Sequence, residues 1–288
     1  MMKAIFYILS LIPKPLFSYF VDIYLFTRLF KLSTSYKITK INLEVAYPQL
    51  KVKDIDLMSK LSLRESIISG FETIYTWGRN DFDSNNHIFK IENNFLLNSL
   101  PKKAKGLIAV TFHNRSVDML LKWINSQVNT ISLYKKIKIK LLSNFVKRDR
   151  EAGGSKTFKT SIGGVREMLR ALNEKKVVVF AADQVPKRGL GEHIKFFNKD
   201  AYTTTLVQSL AVKTNSPVIY FYIRSNPGNF LSITLKRCSD SIYDDSKHKL
   251  LLNQDMEKMI KERPVDYAWE YKRFRRNKDV NENLYIDI

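Results

Sequence analysis

Cysteine is all but missing from this chain of 288 residues. Cys238 stands alone, which excludes an intramolecular disulfide and any cysteine-rich zinc site and fits a reducing compartment. Histidine is scarce too. His87, His193 and His248 are scattered without ligand spacing, so neither a metal nor another cofactor is expected. No Gly-x-Ser-x-Gly elbow occurs and Cys238 has no histidine nearby in sequence, so a covalent enzyme intermediate has no evident nucleophile, Ser116 being a minor candidate. Acidic residues are in deficit. Lys and Arg number 48 against 28 Asp and Glu, a net charge of +20 that attracts polyanions: nucleic acid, an anionic membrane face or an acidic carrier protein.

Long apolar runs are also lacking. Ala4 to Ile12 is apolar, Pro13-Lys14-Pro15 interrupts it, and Leu16 to Phe30 continues with Asp22 and Arg28 inside, so neither half reaches the ~18 residues of a spanning helix. Lys14, Arg28 and Lys31 alternate with Phe17, Tyr19, Tyr24 and Phe26, the mixture expected of helices lying at headgroup level with basic side chains toward anionic lipid. Residues 1–35 therefore read as a membrane anchor, partly a helical hairpin packed on the domain; a signal peptide would need a small-x-small cleavage site after the run, and none follows. Residues 36–288 read as one domain, since no repeat and no long polar linker divides them.

Strand-like and helix-like segments alternate along that domain. The pattern predicts strands at Gly106 to Phe112, Thr130 to Tyr134, Val177 to Ala182, Pro217 to Ile223 and Leu231 to Leu235. Helices are expected over Ser116 to Ser126, Ile162 to Asn173, Thr203 to Asn215 and Lys249 to Lys261, with a lysine-rich connection after Tyr134. The alternation implies an α/β fold, a mostly parallel central sheet flanked by helices, with active residues gathered at the carboxyl ends of the strands.

Two such ends carry chemistry. His113-Asn114-Arg115-Ser116-Val117-Asp118 follows the first strand, and an acid five residues on, in the first turn of a helix, can orient the imidazole through its far nitrogen. That makes His113 a candidate base for a hydroxyl. Asp183-Gln184 follows the strand ending at Ala182 and can organise a polar site beside that pair. Arg166, early in the helix opened by Gly163-Gly164, can face an anion near the same edge. Lys147-Arg148-Asp149-Arg150, and the loop residues Lys187 and Arg188, add positive charge.

The chain resembles the late acyltransferases of lipid A biosynthesis, the lauroyl and myristoyl transferase family within the lysophospholipid acyltransferase superfamily. The likeness spans nearly the whole chain and rests on the order of its landmarks: Asn42-Leu43, Tyr47-Pro48, Thr111-Phe112-His113 through Asp118, Arg148 or Arg150, and Gly164-Val165-Arg166. Ala182-Asp183-Gln184, Phe196-Phe197, Ala201 to Thr205, Tyr267-x-Trp269 and Arg273-Phe274 complete the series.

The resemblance implies a glycerolipid acyltransferase-like fold and transfer of a fatty acyl group to a hydroxyl of a lipid A precursor at the cytoplasmic face of a bacterial inner membrane. The donor would be an acyl carrier protein, or acyl-coenzyme A, and the acceptor an anionic lipid; both suit a positive face. His113 would act as general base with Asp118 fixing its ring, and Arg166 would meet the oxyanion or an acceptor phosphate, with Asp183 buttressing the site. Three positions depart from the family pattern. Asp118 replaces the usual Glu, Tyr271 a His and Asn198 a Gly, so a lysophospholipid or aminolipid acceptor stays open. A nucleic-acid-binding protein would share the charge, but the positive residues are spread out and an apolar anchor has no use there.

Overall fold

The structure, a computed structural model, describes residues 2–80, 87–99, 105–135, 137–244, 248–276, 278, 283–286 and 288. Its N-terminal part is helical: α1 (Met2–Leu9), α2 (Lys14–Phe26), α3 (Thr34–Ala46) and the long α4 (Val52–Gly78). The α/β part follows in the order β1 (Ile88–Glu92), α5 (Phe95–Ser99), β2 (Leu107–Thr111), α6 (Val117–Gln127), β3 (Thr130–Tyr134), α7 (Lys140–Arg150) and β4 (Lys156–Lys159). Then come α8 (Ile162–Asn173), β5 (Val177–Ala181), β6 (Gly191–Phe196), β7 (Lys199–Thr204), α9 (Leu206–Thr214), β8 (Val218–Ser225), β9 (Leu231–Arg237) and α10 (His248–Glu262).

Seven strands form the central sheet in the order β1-β9-β8-β2-β5-β3-β4, parallel throughout except for the β8–β9 pair. Alternation of side chains across the pleat splits each strand between two cores. Ile108, Val110, Val178 and Tyr220 pack under α3, α8, α9 and α10, whereas Leu107, Ala109, Val179 and Ile219 pack under α5 and α6. Burial on both faces is why β2 and β5 read as unbroken apolar runs, and each Val or Ile so buried contributes about 1.5–3 kcal/mol.

The expected α/β architecture with a mostly parallel sheet is present, and several local expectations change. Thr203 and Thr204 close β7, so the helix expected there starts at Leu206. β-branched threonines suit the strand, which pairs with β6 in a separate hairpin. The two-residue turn, Phe197-Asn198, has φ of 48° and 61°, the geometry of a type I′ turn, and Asn is among the few residues that tolerate it without being glycine. The lysine-rich connection contains α7 and the edge strand β4, whose exposed lysines hid it. Glycine is required at Gly164, where a Cβ would stand 2.2 Å from the Lys159 carbonyl oxygen that the α8 start crosses.

Among the described residues no single helix is long and apolar enough to cross a membrane. α1 and α2 pass that test only as a pair, bent by 79° at the break where Pro13 is extended and Pro15 opens α2. Ile8, Leu11, Leu16, Phe20 and Phe26 are exposed along this hairpin, while Val21 and Leu25 pack against Leu63 and Ile68 of α4. Lys14 differs from its expected headgroup position: it is buried and turned inward.

Candidate active site

Register brings the site together. β2 and β5 run parallel with Thr111 beside Ala181, and the Ala182 N–H donates to the Thr111 carbonyl at 2.9 Å. His113 and Asp183, each two residues beyond its strand end, therefore stand side by side. The His113 backbone N–H donates to Asp183 Oδ2 at 3.0 Å, and Nδ1 lies 2.8 Å from Oδ1. An ionised carboxylate can only accept, so Nδ1 carries the proton and Nε2 keeps its lone pair. Gln184 Nε2 lies 3.1 Å from that Nε2 and donates to it. The imidazole is a third exposed while the Asp183 side chain is 3% exposed, so the ring opens to ligand and its orienting acid does not.

The orienting carboxylate is thus Asp183, where local spacing pointed to Asp118. Asp118 sits in the first turn of α6 as expected, but its Oδ1 accepts from Arg150 Nη2 at 2.7 Å and Nε at 3.1 Å. It acts on His113 through space only. Arg150, the last residue of α7, faces Asp118, and its neighbour Arg148 is exposed to solvent. Arg166 is exposed near the start of α8, on the carboxyl edge of the sheet but three strands along from β2. Lys187 and Arg188 are exposed in the turn after β5. That loop is held by Tyr271, whose hydroxyl accepts from the Val185 N–H at 2.9 Å, and by Arg276 donating to the Pro186 carbonyl.

Charge around the ring has a definite sign. Burial works against protonation of His113, but the Asp183 carboxylate, by charge and hydrogen bond, and Asp118 behind it outweigh that and the opposing Arg150, so the imidazole pKa is raised from the ordinary 6.5. Burial would raise the Asp183 pKa, and the adjacent imidazole, the His113 backbone N–H and the charge of Arg273 hold it below the usual aspartate value. Tyr267 is buried, and burial together with the nearby Asp183 charge pushes its hydroxyl pKa well above the ordinary value. An imidazole must be neutral to accept a proton, so any activity that uses His113 as a base is expected to fail as pH falls through the raised pKa. The acid limb of a kcat/KM profile should lie above 6.5, and a limb at or below that value would contradict the geometry.

The loop that carries His113 is clamped from two sides. The Ala268 N–H donates to the His113 carbonyl at 2.9 Å and the Arg115 N–H to the Asp266 carbonyl at 2.7 Å. The landmark Asn42 secures this C-terminal strap, donating to the carbonyls of Trp269 at 2.6 Å and Tyr271 at 2.9 Å. From the other side come two buried carboxylates of α4. Arg115, in a left-handed conformation at φ 50°, places Nε and Nη2 at 3.0 and 2.9 Å from the two oxygens of Glu72 and gives Nη1 to Glu65. The Ser116 hydroxyl donates to Glu72 and is fully buried, which removes it as a nucleophile. Arg115, Glu65 and Glu72 were not foreseen from sequence; the only signal was a polar Arg-Ser pair inside the histidine motif.

Among the described residues no group of three His, Cys, Asp or Glu side chains is placed to hold a metal ion. A histidine–aspartate pair at the carboxyl edge of an α/β sheet, its Nε2 lone pair met by the amide of exposed Gln184 and, among the described residues, with no nucleophile beside it, can take a proton from a hydroxyl that displaces that amide, without a covalent intermediate. No individually curated protein matches the chain. The model of the bacterial lipid A biosynthesis acyltransferase family matches residues 1–276, and the chain belongs to that family of acyltransferases.

Proposed function

We propose that this acyltransferase moves a fatty acyl group from an acyl carrier protein thioester to a hydroxyl of a lipid A precursor at the cytoplasmic face of the inner membrane, with His113 as general base. The observation that carries this reading is the His113 imidazole held by Asp183 through Nδ1, with Nε2 facing the exposed Gln184. Nε2 takes the acceptor's proton as its oxygen attacks the thioester carbonyl. The tetrahedral oxyanion then collapses, the C–S bond breaks, and the imidazolium returns the proton to the leaving thiolate, giving ester and thiol. Asp183 steadies the ring and its transient charge, and Asp118 adds negative field moderated by Arg150.

Residues 1–35 serve as the anchor of a single domain, 36–288. The exposed apolar side chains of α1 and α2 enter the bilayer boundary, and the +20 surface meets anionic lipid and an acidic carrier. Lys187 and Arg188 lie exposed in the loop after Asp183, where they can meet acceptor phosphate or carrier carboxylates; Arg166, early in α8, adds charge further along the same edge, and the exposed Arg148 adds to the general positive surface.

His113→Ala in the full chain is the direct test, with carrier-bound acyl donor and lipid A precursor and the product read by mass spectrometry. Turnover should fall by about 10²–10⁴-fold while melting temperature and vesicle association stay unchanged. Near-normal turnover would reject the base assignment.

A further inference from the structure

Glu72 is a meeting point of three chain segments. From the histidine loop it receives Arg115 and Ser116, and from the corner between α1 and α2 it receives Lys14, whose Nζ lies 2.6 Å from Glu72 Oε1. Lys14 is 7% exposed at its side chain and Glu72 3%. Arg115 further reaches Glu65 and, at 3.8 Å, Asp266 beneath the C-terminal strap. A lysine flanked by exposed Leu11 and Leu16 on an amphipathic hairpin would ordinarily snorkel outward. Here it points the other way, at the carboxylate that fixes the histidine loop.

The hairpin corner is also loosely packed. A cavity of about 150 Å³ lies under it, lined by Ser10, Pro13, Lys14, Glu72, His87 and Met119. On either side the packing is close: Phe6 of α1 rests on Gly78, where a Cβ would come within 2.5 Å of the Phe6 carbonyl oxygen, and Phe17 of α2 stacks on Phe71 at 4.4 Å. At the corner itself the polar Lys14–Glu72 pair bridges an incompletely filled space, and Met119 on the cavity wall directly follows Asp118. Glu72 thus joins the corner to Arg115 and Ser116, two and three residues from His113. A buried salt bridge of this kind is a poor source of net stability, but separating its partners is costly because a charge is left buried and uncompensated.

We infer that Lys14 is a positioning residue for His113, coupling the seating of the α1–α2 corner on a bilayer to the setting of the histidine loop through the Glu72 carboxylate. This rests on the reading of residues 1–35 as an anchor and of His113 as the base. Bilayer contact then does more than concentrate the enzyme near its lipid substrate. It selects the loop geometry in which the imidazole is correctly aimed, a misplacement of about 1 Å being enough to cost about a hundredfold in rate.

The full chain with Lys14→Met and Lys14→Arg, mixed with phosphatidylethanolamine and phosphatidylglycerol vesicles, tests the coupling by three readouts. These are flotation, the ¹⁵N resonances of the His113 ring, and separate kcat and KM for acceptor presented in the vesicles. In the unmodified protein the ring resonances should move on vesicle binding. Lys14→Met should float equally well, leave those resonances at their vesicle-free positions and lower kcat by about tenfold to a hundredfold with KM unchanged, and Lys14→Arg should restore both. If Lys14→Met does not fold, Lys14→Gln, which removes the charge and leaves Glu72 with its bonds to Arg115 and Ser116, is measured in the same way. Wild-type resonance shifts and kcat in the Met variant, an Arg variant no better than Met, or an unmodified chain that does not float would each overturn the coupling. Failure of the His113 base reading appears separately, as turnover retained by His113→Ala.

Discussion

Asp183→Asn should lower kcat by about 10³–10⁴-fold with little change in melting temperature, while Asp118→Asn should cost far less. The amide is nearly isosteric with the carboxylate, so the packing around this buried position survives. Its chemistry does not. Presenting an N–H₂ to Nδ1 favours the tautomer with the proton on Nε2, which removes the lone pair that takes the acceptor's proton in the proposed mechanism. It also deletes the negative charge that, by contact and hydrogen bond, holds the imidazole pKa above its ordinary value. The acid limb should therefore move to lower pH even as the plateau collapses. Asp118 is bonded to Arg150 and reaches the ring only through space, so its loss perturbs the field and leaves the tautomer alone. Steady-state rates across pH for both variants decide the matter, and a larger loss for Asp118→Asn would return the orienting role to the acid five residues along.

Arg115→Met should destabilise the fold by about 3–5 kcal/mol, because it leaves buried carboxylates under-compensated. Glu72 would retain Lys14, and Asp266 would retain Ser225 and Arg263, but Glu65 and Glu72 would each lose a direct guanidinium contact inside the molecule. The sign of the pH dependence follows. Burial opposes ionisation of Glu72, and Arg115 with Lys14 more than offsets it, so the folded-state pKa lies below the ordinary 4.5. That contribution is present above the unfolded value and is lost as pH falls through the folded one. In the variant the same carboxylate is penalised at neutral pH and relieved when protonated, so the stability gap to the unmodified protein should narrow on acidification. Denaturant unfolding at neutral and mildly acidic pH measures this, and a gap that widens in acid would contradict the network's assigned charges.

Much of the fold was legible because its signals are local. Unbroken apolar runs such as Val177 to Ala182 mark strands covered on both faces, and the helices from Ile162 and from His248 start and stop close to where periodicity placed them. What was not read locally has a common origin. β4 is an edge strand with exposed lysines, β7 gains its identity only by pairing with β6, and the direction of β9, left open by its pattern, is set by its partner. In each case pairing with another strand, and not the segment's own pattern, decides.

The site divides along the same line. Its histidine, its two candidate acids and its positive surplus could all be named from residue types and their place at strand ends, as could the bent apolar N terminus, since composition and proline placement are properties of short segments. Which acid holds the imidazole was settled by the in-register pairing of β2 with β5, which sets Asp183 beside His113 across 70 residues of chain. Burial made the remaining choices. A lysine among apolar residues turned inward because α4 presents a buried Glu72 to it, and Arg115 left the surface because three carboxylates surround its loop, charge placements that no local pattern encodes.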